Sequence, residues 1–210
     1  MKKVAYFIVF AAVVLFAQSS HAITVDLWTS FPDTQGDNNF YAYAYTPGTG
    51  IDRLLPETVI RGFNADGFSW WSYPYIHGLT DSWIYTHPSN AEDAVLVWTV
   101  PETSTYNFSG TFGSADSGTT SVYLRSSNNT FASWEQTIGQ WRSASYDFNA
   151  SLTAGDKVRF GVNAYGDQGS DTTAYQGVIE SLQPAAVPEP ATMSLLGLGI
   201  LGLAGFRKKK

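Results

Sequence analysis

Along most of this chain, large apolar side chains recur at every second position, in short runs cut apart by glycine and serine. That is the two-residue period of a β-strand rather than the 3.6-residue period of a helix. It restricts the chain to a sandwich or a barrel. Tyr106, Phe108 and Phe112 share a face of Thr105 to Phe112, Val122 and Leu124 one of Thr119 to Arg125, and Tyr146 and Phe148 one of Ala144 to Phe148. After the turn Ala154-Gly155-Asp156, Val158, Phe160 and Val162 fall together. Ala94 to Val100 is apolar on both faces, as a central strand is, and Pro101 ends it. Phe40 to Tyr45 opens the set and Thr173 to Leu182 closes it. Breaks fall at Ser114 to Gly118, Ser126 to Thr130 and Gly166 to Ser170. No segment is long enough for the crossover helices that parallel strands need, and no internal repeat is present. The prediction is an all-β chain with a single β-sandwich, jelly-roll-like, over residues 23–183.

The two ends do not belong to that fold. Lys2-Lys3, an apolar run from Val4 to Ala17 and the small residues of Ser20-His21-Ala22 read as a signal peptide over residues 1–22. A linker at 184–187 leads to Pro188-Glu189-Pro190, an apolar run from Ala191 to Phe206, and Arg207-Lys208-Lys209-Lys210. Sixteen residues give a helix of about 24 Å. That is slightly short of a bilayer core of about 30 Å, and snorkelling cations close the gap. The four glycines of the run suit a membrane helix better than a soluble one. A transmembrane segment within residues 188–210, with its basic end cytoplasmic, is therefore expected.

Val187, Pro188, Glu189 and Pro190, the apolar span and the basic end at Arg207 follow the order and spacing of the PEP-CTERM sorting signal of Gram-negative bacteria, which this tail resembles. The resemblance covers only the tail. It implies that the partner is an exosortase, a membrane transpeptidase that cleaves near the motif. It also implies export, a transient inner-membrane anchor, and then a cell-surface or extracellular location in an exopolysaccharide-producing, biofilm-forming host.

Setting the ends aside changes the charge. They hold six of the 12 basic residues and one of the 18 acidic ones, which leaves residues 23–187 with 6 and 17, a net charge of −11. Such a domain repels phosphate backbones and anionic lipid, so nucleic acid is excluded as a partner. Neutral glycans and divalent cations remain compatible. There is no cysteine, so disulfides, thiol catalysis and Cys-based zinc sites are ruled out.

Between Asn39 and Glu180 the order of short phrases resembles exported jelly rolls similar to carbohydrate-binding modules. The phrases are Phe40 to Tyr45, His87-Pro88, Ala94 to Pro101, Thr105 to Phe112, Gly118-Thr119-Thr120, Ala154-Gly155-Asp156 and Asp171-Thr172-Thr173. A Pro-x-x-Gly-x-Tyr phrase of that group stands here as Pro101 to Tyr106, with Ser104 in place of glycine.

Chemistry is sought first among the aromatics, because the C–H face of a sugar stacks on a flat ring. In an extended Phe68 to Tyr75, Phe68 and Trp70 face one way and Trp71, Tyr73 and Tyr75 the other; Tyr41, Tyr43 and Tyr45 line up opposite Ala42 and Ala44. Each stripe is either core or an open platform, and sequence leaves both open. Trp70, Trp71, Tyr73, Tyr75 and Trp83 are the ligand-binding candidates; Trp83 and Tyr85 are read as loop residues, and Trp134 and Trp141 as flanking a loop. Asp167 and Asp171, in a glycine-rich turn, are the candidates for a structural calcium, since loop oxygens suit that ion. His77 and His87 make no zinc motif and read as turn or surface residues. No catalytic residue stands out: there is no nucleophile elbow, and 17 acids select no pair. The expected function is non-catalytic, a surface or matrix protein associated with exopolysaccharide. The alternative is a secreted glycan-active hydrolase.

Overall fold

The structure is a computed structural model that describes residues 22–49, 51–57, 62–64, 72–78, 82–126, 134–167 and 169–182. Residues Ile23–Leu182 form one compact unit. The described strands are β1 Thr24–Asp26, β2 Phe40–Thr46, β3 Ile51–Leu54, β4 Gly62–Asn64, β5 Tyr75–Gly78, β6 Ile84–His87 and β7 Asp93–Thr99. They continue with β8 Ser104–Ser114, β9 Thr120–Ser126, β10 Trp134–Ile138, β11 Ser143–Leu152, β12 Lys157–Asn163 and β13 Thr173–Ser181.

The strands make two antiparallel sheets. Sheet A runs β11-β8-β13-β6-β5-β4, with β1 also paired to β13; sheet B runs β10-β9-β12-β7-β2-β3. From β7 to β13 the chain changes sheet at every connection except the β9–β10 one, which is how a jelly-roll-like sandwich is wound. The alternating positions meet between the sheets as expected. Phe40, Leu96, Trp98, Val122, Leu124 and Phe160 of sheet B face Tyr106, Phe108, Phe112, Tyr175 and Ile179 of sheet A. Trp98 meets Tyr106 edge-on at 5.2 Å, and Phe160 stacks on Tyr175 at 6.3 Å and 2°. Such geometries add to the burial itself.

β7 lies between β12 and β2 and is buried on both faces, as its unbroken apolar run requires. Its second face, Val95 and Val97, makes a small outer cluster with Tyr123, against which Tyr41, Tyr43 and Tyr45 pack half-buried.

Two sequence readings are corrected here. Tyr85 belongs to strand β6, not to a loop, and His77 and His87 are buried, at 2% and 3% exposure. β5 and β6 are too short to show a period. Their register sets Tyr75 opposite His87 and His77 opposite Tyr85. The imidazoles are taken into a ring stack: Tyr73 on His87 at 4.0 Å and Tyr75 on His77 at 4.7 Å. Burial lowers the proton affinity of both, His77 to about 4.

Candidate functional site

The site is built by register on the outer face of sheet B. Antiparallel pairing sets Tyr45 opposite Asp93 and Asn163 opposite Ser121, and in the next row Gly161 opposite both Val95 and Tyr123. Side chains directly across antiparallel strands share a face, so residues far apart in sequence line one cleft of about 340 Å³. That is at the small end of ligand-pocket volumes. Tyr45, Asp93, Tyr123, Arg125, Glu135 and Tyr165 are among its walls.

Hydrogen bonds fix the cleft. Tyr123 Oη donates to Asp93 Oδ2 at 2.7 Å, and Asn163 Nδ2 donates to Asp93 Oδ1 at 2.6 Å. Burial raises the proton affinity of Asp93 against these two donors. Burial, followed by the Asp93 charge, pushes the Tyr123 phenol well up. Beside them Arg125 donates to Glu135 Oε2 at 2.7 Å, and Ser121 Oγ donates to Oε1 at 3.0 Å. The Arg125 hydrogen bond holds the Glu135 carboxyl below its ordinary range. The Arg125 guanidinium also lies 4.1 Å over the Tyr123 ring. Arg159, on the same face, pairs with Asp52 at 2.6 Å and sits 5.2 Å over Tyr45. At the rim, Tyr165 is 63% exposed with φ +49°; its N–H donates to Asn163 Oδ1 at 2.8 Å. A bulky residue in the left-handed region is strained, and this one is held with its ring toward solvent.

Of the ligand-binding candidates read from sequence, the described ones, Tyr73, Tyr75 and Trp83, do not line this cleft. Trp70 and Trp71, and the motif at Val187, Pro188, Glu189, Pro190 and Arg207, lie outside the described residues. Tyr73 and Trp83 are half-buried and Tyr75 is buried, so the Tyr75 ring is covered. Trp134 packs on Phe112 at 5.9 Å, and Trp141 is 68% exposed in the turn after β10. The Tyr41, Tyr43, Tyr45 stripe does face outward, beside the cleft. Asp93, Tyr123, Arg125, Glu135 and Asn163 were not selected from sequence. Their only signal was position: each alternates with core residues of β7, β9, β10 or β12.

Asp167 and Asp171 lie in the loop before β13. Asp171 is 1% exposed, and both its carboxylate oxygens lack a hydrogen-bond partner. Its Oδ1 and the carbonyls of Ser170 and Gly169 crowd the Cα of Gly118, where a side chain would collide with all three. Burial, then Asp167 and Asp116, pushes its proton affinity up to about 7. The Gly118 N–H donates to the Ser170 carbonyl at 2.7 Å, so the carboxylate lies against bare backbone among oxygen atoms. Among the described residues, no three carboxylate, imidazole or thiol side chains converge to hold a metal.

Among the described residues no helix is long and apolar enough to cross a membrane, and the apolar run from Ala191 lies outside them. No curated protein matches the chain. Among solved structures it is similar to a mutant of a family 29 carbohydrate-binding module, with 10% identity over 77% of this chain and 92% of that one and a TM-score of 0.38. A family 29 module complexed with cellulohexaose gives 9% over 78% and 93%, TM-score 0.38. The CBM36-1 domain of a multidomain xylanase from the hindgut metagenome of Trinervitermes trinervoides gives 11% over 80% and 100%, TM-score 0.35. A family model matches only the tail: residues 186–210 carry the PEP-CTERM protein-sorting motif.

Proposed function

We propose that this is an exported, non-catalytic protein that is sorted by an exosortase to the cell surface or extracellular matrix and there contacts exopolysaccharide through the outer face of sheet B. The sorting half rests on the motif at residues 186–210. Its test is fractionation. With exosortase deleted, the chain stays at unprocessed size in the membrane, and Glu189→Gln does the same. Unchanged size and location in the deletion strain overturns the sorting half.

The binding half is carried by one observation: a hydrogen-bonded cleft lies beside a half-buried, outward-facing tyrosine row. Rings and fixed polar groups together are what a polyhydroxylated ring needs. Polysaccharide pull-down with the full chain in mild detergent tests it, and Tyr165→Ala weakens retention about fivefold or more. Equal retention by the variant overturns the assignment of the cleft.

One observation favours the hydrolase reading: Asp93 and Glu135 share the cleft with proton affinities displaced in opposite directions. Against it, Asp93 is 2% exposed, and both its oxygens already accept hydrogen bonds from Tyr123 and Asn163. A proton donor to a leaving group must reach the substrate. Turnover of any polysaccharide that is lost in Asp93→Asn makes the hydrolase reading the correct one.

For Asp171 we propose a structural calcium, with the carboxylate and carbonyls of its turn as donors. It rests on the buried, unpartnered carboxylate.

A further inference from the structure

Resting on the glycan reading of the sheet B face, we infer that the cleft takes an uncharged polysaccharide segment and rejects uronate-bearing or sulfated ones.

The argument is the state of the cations. A uronate or sulfate is held by a guanidinium with free charge, in bidentate geometry. Among the described residues, the arginines on this face, Arg125 and Arg159, have their charge already opposed. Arg125 is spanned by Glu135 on one side and the Tyr123 ring on the other, and Arg159 is set between Asp52 and Tyr45. An incoming anion has to displace a carboxylate from Arg125 and then sit beside it, near the Asp93 carboxylate too. Like charges brought together in a cleft repel and suppress the wrong partner. The domain's net charge of −11 repels the same ligand at longer range.

A hydroxyl meets none of these obstacles. It donates to Glu135 or accepts from Thr137, and it needs no ion pair broken. Tyr165 supplies a ring face at the rim. The pairs that look like a charged site thus act as a filter: they keep the cleft polar while leaving it no net cation to offer.

The experiment is retention of the full chain, in mild detergent at about 0.15 M salt, on four immobilised polymers. Two are neutral, hydroxyethylcellulose and glucomannan; two are anionic, alginate and polygalacturonate. Because the tail is basic, only retention that Tyr165→Ala reduces is counted as cleft binding. The expected result is cleft binding to at least one neutral polymer and to neither anionic one. Glu135→Gln, at a side chain that is half exposed, frees Arg125 and gains retention on alginate on the order of fivefold, a gain that salt removes. Cleft binding to an anionic polymer by the native chain overturns the inference and leaves the glycan reading standing. No cleft binding to any of the four overturns the glycan reading itself. A Glu135→Gln chain that folds normally and gains nothing on alginate overturns the role given to the Arg125–Glu135 pair.

Discussion

Tyr123 lies across the bare backbone of Gly161, its partner in the β9–β12 register, and this brings its hydroxyl to Asp93. A Cβ at position 161 would run into the Tyr123 ring. The glycine is needed for that approach, not for a special backbone angle.

Gly161→Ala therefore destabilises the chain by about 1–3 kcal/mol and weakens glycan retention, because the displaced ring gives up Asp93. Gly139→Ala, where a Cβ meets nothing within 4 Å, is the control and stays close to neutral. Urea midpoints for the two variants, with equal slopes, check this.

In the core, Tyr146 and Tyr175 bury their hydroxyls without a hydrogen-bond partner, and Tyr146 crosses Gly110 and Gly177 to do so. An unpartnered buried hydroxyl costs about 1–3 kcal/mol. Tyr175→Phe accordingly raises stability by about 1 kcal/mol, read as a higher midpoint of thermal unfolding.

The pH dependence has two opposing parts. His77, lowered to about 4 by burial, and His87, lowered likewise, bind fewer protons folded than unfolded. Their contribution is intact above the unfolded value of about 6.5 and is lost as pH falls toward 4. Asp171, raised to about 7, binds more protons folded, so its contribution is intact below about 4 and is lost as pH rises through 7. In the native chain, with chelator present, the two slopes offset each other between pH 4 and 6.5. Asp171→Asn removes one, and stability then drops by about 2 kcal/mol on acidification through that window. Denaturant midpoints from pH 4.5 to 7.5 measure both.

The calcium proposed for Asp171 is tested at the same residue. At pH 7.5 the native chain melts lower in EDTA than in calcium, because Asp171 is then a buried charge without a partner. Asp171→Asn melts higher than the native chain in EDTA and does not respond to calcium. A native melting temperature indifferent to EDTA removes the calcium assignment.

The strands β8, β9, β11 and β12 were legible because each carries its own period, and β7 because its apolar run is unbroken; β10, with three polar residues between Trp134 and Ile138, was not. Tyr106-Phe108-Phe112 and Val158-Phe160-Val162 declare a face without reference to any neighbour. β3 to β6 were not, since strands of three or four residues hold at most two turns of the alternation. His77 and His87 were misplaced for that reason: their burial goes with a stack of rings from Tyr73 and Tyr75 that no period announces. For the site, aromatic density drew attention to Tyr73 and Tyr75, but density does not say which face a ring takes. The cleft joins Asp93, Tyr123 and Asn163 across sequence gaps of 30 and 40 residues. Only a register specifies such a meeting, and a register is a property of the folded sheet.

Ile23 and Ser181 are joined by two hydrogen bonds, at 2.7 and 2.8 Å, so the domain begins and ends at the same place. The strand that leads out, β13, is paired with β8 along its whole length. A surface-held protein of this design that is pulled by its C-terminal tether feels the load along a nine-residue strand inside sheet A, where the ladder bonds share it in shear and do not open one after another. The cleft sits on the opposite sheet. Under the function proposed above, such a load is borne by a strand paired along its whole length, and the sheet that carries the cleft lies outside its path.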